Sequence, residues 1–141
     1  MSAPTNATPA VGRGRLLLVR HGESEGNLAR RFSPDPHVKL TELGIAQARE
    51  TGRRLAGIAR PVRVVASSFL RARHTAELIA QEIGFTDPIQ VEPDLRERSI
   101  GALAGASYAS VRSHPSFIAE RFWEWRPENG ESLADVQERA A

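Results

Sequence analysis

The chain has 141 residues, a one-domain length that can bury a core, and its charges nearly balance at +2, with Lys39 as the only lysine. It has no cysteine, which excludes disulfides, thiolate metal sites and a cysteine nucleophile. No apolar run approaches the ~20 residues of a membrane helix, the N-terminus lacks the apolar centre of a secretory signal, and the arginines are interleaved with glutamates, so the expectation is a cytoplasmic protein that binds neither membrane nor nucleic acid.

Met1 to Gly14 is rich in Ala, Pro, Thr and Gly and reads as a flexible tail, leaving 15–141 as the domain. Leu16-Leu17-Leu18-Val19 is a short apolar run that predicts a buried strand, and it delivers Arg20-His21-Gly22 to its C-terminal end, where open α/β sheets bind ligands. An arginine fork, a neutral imidazole and a glycine that lets backbone approach closely suit a phosphate site. Ser24 to Arg31 predicts a short helix, and Phe32 to Val38, with Pro34 and Pro36, a loop that can fold over the site.

Thr41 predicts a helix cap, followed by Ile45, Ala48, Gly52, Leu55 and Ala59 at three-four spacing as the inward face. The β-branched run from Pro61 to Ser67 predicts a second buried strand. The helix after it is expected to turn Ala72, Ala76, Ile79 and Ile83 inward, to stop at Gly84, and to carry Arg71 in its first turn at the same sheet edge as His21. Ile89 to Glu92 predicts a third strand, and Leu95 to Gly105 an irregular glycine-containing segment that holds Glu97. Val111 to Trp125 predicts a helix interrupted near Pro115, with Phe117, Phe122, Trp123 and Trp125 as apolar cover. Ser132 with Asp135 starts a last helix. Alternating strands and helices at this scale predict a parallel sheet with helices on both faces.

Taken together, Arg20-His21-Gly22-Glu23-Ser24, Asn27, Arg30-Arg31-Phe32-Ser33, Leu40-Thr41-Glu42-Leu43-Gly44, Ser67-Ser68-Phe69-Leu70-Arg71-Ala72, Thr75-Ala76 and Leu95-Arg96-Glu97-Arg98 resemble, in order and spacing, the histidine phosphatase superfamily, which is phosphoglycerate mutase-like. The resemblance runs from about Arg15 to the last residue. It implies an α/β fold, a three-layer αβα sandwich around a mostly parallel sheet. It also implies a phosphatase acting on small-molecule phosphomonoesters through a phosphohistidine, with neither metal nor cofactor. Residue by residue, His21 matches the nucleophile, Arg20 and Arg71 the two clamping arginines, Asn27 and Ser33 phosphate contacts, and Glu97 the proton donor. Read without the family, Asn27 and Ser33 are helix caps, the arginines solvated surface, and Glu97 an exposed ion pair with Arg96 or Arg98.

The resemblance also implies a second histidine in a Ser-His-Gly context, and His37, His74 and His114 are followed by Val, Thr and Pro instead. The expectation is a domain that lacks its C-terminal strand and helix. Two other readings stay open. One is a mutase, against which Tyr108 stands at the position of the mutase lysine. The other is a non-catalytic phosphate-binding protein. Homo-oligomerisation is left open as well.

Overall fold

The computed structural model describes residues 14–58 and 60–141, so the tail expected over Met1 to Gly14 lies, Gly14 apart, outside the described residues, as does Ala59. The chain is mixed α/β with a small parallel sheet. Helix α1 (Glu25–Leu28) precedes α2 (Glu42–Ala56), strand β1 (Val65–Ser67), α3 (Leu70–Ile83), strand β2 (Gln90–Glu92), α4 (Tyr108–Arg112) and α5 (Leu133–Ala140). Single 3-10 turns occur at Pro93–Leu95, Gly101–Leu103 and Ala119–Arg121. No helix among the described residues is long and apolar enough to cross a membrane.

The caps fall where the side chains dictate. Thr41 accepts from the Gly44 N–H at the start of α2, and Ser132 forms a reciprocal capping box with Asp135 at the start of α5. Helix α3 ends at Gly84, whose φ of 69° is a left-handed conformation that glycine adopts without steric cost. Helices α2 and α3 lie side by side around Leu40, Ala48 and Leu78, with Ile45 packed against them. β1 and β2 pair in parallel, Val65 opposite Gln90 and Ser67 opposite Glu92, and α3 covers β1.

Four expectations need correction. Leu16 to Val19 is irregular chain rather than a strand, because among the described residues nothing pairs with it; Leu16 is 81 % and Leu18 87 % exposed. The second strand begins at Val65, and Val62 is exposed. Continuing the register backwards would set Arg63 opposite Pro88, which has no N–H to donate and sits in the turn before β2. No helix runs from Val111 to Trp125. Ser107 starts α4 earlier, and beyond Arg112 the Ser113 hydroxyl bonds back to Ala109 O while His114 Nδ1 engages Ser116 Oγ, local bonds that compete with a continuing helix. Phe117 instead stacks edge-on against Trp125, with ring centres 5.1 Å apart. Finally, α3 buries Arg71, Thr75, Leu78, Ile79 and Ala80, while Ala72, Ala76 and Ile83 are only half-buried. Two polar residues occupy the inner face because they hold the segment described next.

Candidate active site

Residues 21–24 are gripped from two sides. The Gly22 N–H donates to Thr75 Oγ1 on α3 at 3.2 Å, and the Glu23 N–H donates to Gln47 Oε1 on α2 at 2.8 Å. A Cβ on Gly22 would fall 2.2 Å from Gly44 O, and one on Gly44 2.0 Å from Glu23 O, so this backbone-to-backbone approach is open to glycine alone. Thr75, buried and one turn beyond Arg71, donates its own hydroxyl to Arg71 O at 2.8 Å. One side chain therefore ties the His21 loop to the arginine helix.

His21 is half-buried, with Nδ1 2.7 Å from Gly22 O and Nε2 3.3 Å from Arg71 Nε. A carbonyl only accepts and a guanidinium only donates, so Nδ1 carries the proton and Nε2 offers its lone pair. Burial is the main cause that holds the ring pKa below the ordinary 6.5; the charges of Arg71 and Arg20 act in the same direction, while the Gly22 bond and Glu97 oppose. The ring is neutral at pH 7.

Arg71, only 3 % exposed, spreads its fork over three partners. Nε points at His21, one terminal nitrogen donates to Asp35 O at 3.3 Å, and the other is ion-paired with Glu97 Oε2. The Phe69 ring lies 4.7 Å from the guanidinium carbon. Its place in the first turn of α3 adds the positive end of that helix. Glu97 is 53 % exposed at its side chain and pairs with Arg71, not with Arg96 or Arg98. Those two turn away. Arg96 reaches Glu131 Oε1 at 2.7 Å, and Arg98 donates to Glu131 O and Trp125 O. Glu131 also accepts from Arg139 and the Ser99 N–H, which fastens α5 to the segment carrying Glu97.

His21, Arg71 and Glu97 thus form one connected chain, with Arg20 near enough for its charge to act on the imidazole. Asn27 is part of a capping box with Ser24, and this consumes its amide oxygen; its NH2 group is directed at Tyr108 Oη, 3.4 Å away, and remains a donor for an incoming oxygen. Ser33 makes no cap and lines a cavity of about 210 Å³ shared with Glu97, Phe32, Phe69 and Ile100. Thr75, Gln47 and Glu131, which hold these segments in place, are not among the expected site residues. A threonine four residues after Arg71, on the same helix face, was the available signal for the first of these. The Asp35 carbonyl, a backbone group, left none.

Such a site can hold an anion against the Arg71 guanidinium, with the Arg20 charge nearby, beside a neutral imidazole. The sequence pattern of the histidine phosphatase superfamily (branch 1) matches residues 16–141. The chain is 37 % identical over 131 residues to a 2,3-bisphosphoglycerate-dependent phosphoglycerate mutase of Nitrobacter hamburgensis, covering 88 % of this chain and 63 % of that one. It is 39 % identical to the enzyme of the same name from Bradyrhizobium diazoefficiens, over 89 % and 63 %. The chain therefore spans less than two thirds of the length of these curated relatives. Among solved structures, a mycobacterial glucosyl-3-phosphoglycerate phosphatase in complex with VO3 superposes with a TM-score of 0.70 at 30 % identity, over 85 % of this chain and 57 % of that one. A protein of Thermus thermophilus, TTHB049, superposes with a TM-score of 0.65 at 36 % identity, over 85 % and 65 %. The matched pattern extends through every element that carries His21, Arg71 and Glu97, and on that ground the chain belongs to the histidine phosphatase superfamily, branch 1.

Proposed function

We propose that this chain carries the phosphoryl-accepting half of a phosphomonoester hydrolase, with residues 15–141 as its working unit and a small phosphorylated molecule as substrate. The observation that carries the reading is the fixed tautomer of His21, whose Nε2 lone pair faces the Arg71 guanidinium that also holds Glu97. A phosphoryl dianion seated at Arg71 and Arg20, with Asn27 and Ser33 on its other oxygens, takes the place of Glu97 on the guanidinium. The released carboxyl then stands beside the leaving oxygen as the group that hands it a proton.

Nε2 attacks phosphorus, the N–P bond forms, and the ester P–O bond breaks as Glu97 delivers its proton to the leaving oxygen. Arg71 and Arg20 stabilise the charge spread over the equatorial oxygens. Water, giving its proton to the Glu97 carboxylate, then displaces Nε2 and frees inorganic phosphate. The reading places the enzyme in the cytoplasm and assigns it no nucleic-acid partner.

The test is acid-labile phosphate on His21 from an aryl phosphate. Incorporation that disappears in His21→Ala supports the proposal. Phosphate binding without incorporation overturns it in favour of a binding protein. A mutase is the second reading, favoured by the names of the curated relatives. Conversion between phosphoglycerate isomers, faster than release of inorganic phosphate, would select it.

A further inference from the structure

Residues 97–99 lie in neither helix nor strand, and among the described residues their one bond to other main chain runs from the Glu131 N–H to Ser99 O at 2.8 Å. Glu131 adds its side chain to this tie. Oε2 accepts the Ser99 N–H at 2.8 Å and Oε1 accepts from Arg96 at 2.7 Å, while the Glu131 carbonyl accepts Arg98 Nε at 2.7 Å. From α5, Arg139 donates to both carboxylate oxygens, at 2.9 and 3.2 Å, and also to Arg96 O at 2.9 Å and to Asp94 O. The Arg139 bond, with the Ser99 N–H and the charges of both arginines behind it, holds the Glu131 carboxyl below the ordinary 4.5 against the opposing effect of burial. A half-buried carboxylate so supplied with donors is fixed in one orientation. A Cβ on Gly101, whose φ is 50°, would fall 2.0 Å from Glu128 O, so the turn before Glu131 lies backbone to backbone against this segment.

We infer that Glu131 is a positioning residue for Glu97: it fixes the main chain on both sides of residue 97, so that the carboxyl swings between Arg71 and the leaving oxygen without drifting from either. The inference rests on the proposed hydrolase reading, in which Glu97 is the proton donor. Arg96 and Arg98 turn toward Glu131, and Glu97 between them turns the other way, to Arg71, as alternate residues of an extended segment do. Among the described residues the half-exposed Glu97 side chain bonds to Arg71 alone. Once a phosphoryl group takes that guanidinium, the main chain is what keeps the carboxyl within reach.

Glu131→Gln keeps the shape of the side chain but sets an NH2 group against these donors, and it leaves His21 and Arg71 in place. The test is the rate of His21 phosphorylation in the 141-residue chain from two esters: an alkyl phosphate, whose alkoxide needs a proton to leave, and dinitrophenyl phosphate, whose phenolate does not. In Glu131→Gln the alkyl ester is expected to lose about tenfold or more and the dinitrophenyl ester no more than about twofold. Arg139→Gln, which cuts the tie from the α5 side, is expected to show the same split. Adding Glu131→Gln to Glu97→Gln is expected to cost nothing further on the alkyl ester, because the donor is already gone. Equal losses on both esters, or additive losses in the double variant, would overturn the inference and leave Glu131 a residue that only stabilises the fold. No phosphohistidine from either ester in the unsubstituted chain refutes the hydrolase instead. The positioning is then read without turnover, from the NMR line of the Glu97 carboxyl carbon, assigned by its loss in Glu97→Gln. A shift or broadening of that line in Glu131→Gln with the His21 ring lines unmoved upholds the positioning; an unchanged line, or one that moves together with His21, overturns it.

Discussion

At the His21 ring the two nitrogens are bound to groups of opposite kind, and the pH dependence follows from that. Burial and the two arginine charges hold the pKa below 6.5, so the nucleophilic neutral form persists into mildly acid solution. Phosphoenzyme formation is expected to be flat near pH 7 and to fall along an acid limb whose midpoint lies below 6.5; Arg20→Gln, by removing one positive charge, moves that midpoint upward. A midpoint at or above 6.5 in the unsubstituted chain refutes this. The linkage has a definite sign. The unfolded ring, at its ordinary value, takes up a proton more readily than the folded one, so this contribution to stability is whole above 6.5 and is lost as pH falls through the folded value. A second residue-scale prediction concerns Thr75. Thr75→Val leaves the buried Gly22 N–H without its acceptor, which costs ~1–3 kcal/mol in denaturant unfolding and slackens the hold on His21. Thr75→Ser keeps the hydroxyl and is expected to restore the phosphorylation rate; recovery by Val alone would mean that Thr75 only fills space.

Among the elements, the helices were more legible than the strands, for a physical reason. Caps such as Thr41, Ser132 and Gly84 act within a turn of their own position, so their signal is complete in a few residues. A strand is defined by its neighbour, and Leu16 to Val19 and Val62 carry strand-like side chains with nothing paired beside them among the described residues. The inner face of α3 departs from the expected one at Arg71 and Thr75, because hydrophobic periodicity cannot see a polar side chain buried for its hydrogen bonds. The juxtaposition of His21, Arg71 and Glu97 came from motif order, whereas the direction of Glu97 toward Arg71 needed the fold. The α2–α3 contact offers its own test. Gly52 sits inside α2, where alanine is worth about 1 kcal/mol in helix propensity. Yet a Cβ there would lie 2.7 Å from Glu82 Cβ and 3.1 Å from Ile79 Cα, atoms close to the backbone that cannot swing aside. Overpacking at ~1–3 kcal/mol outweighs the propensity gain, so Gly52→Ala is expected to lower the unfolding midpoint. A stabilised Gly52→Ala would show that the two helices can part at no cost.

For the whole molecule, the question is whether this much buried surface holds the chain in one state. The central cluster is Leu40, Ala48 and Leu78, and among the described residues no large side chain is less than 2 % exposed. Meanwhile Leu16, Leu18, Phe122 and Trp123 all face solvent, and large apolar side chains left in water favour association. A net charge of only +2 does little to keep copies apart. The 141-residue chain is therefore expected to unfold no higher than ~65 °C, the upper range for mesophilic domains, and to self-associate as it is concentrated. Leu16→Lys with Leu18→Lys separates the two effects. Both side chains already lie in water, so the pair should change unfolding free energy by no more than about 0.5 kcal/mol while reducing light scattering at high concentration. If the double substitution instead lowers the transition markedly, these leucines are covered in solution by another surface. The apolar run before His21 would then be a packed element rather than exposed chain.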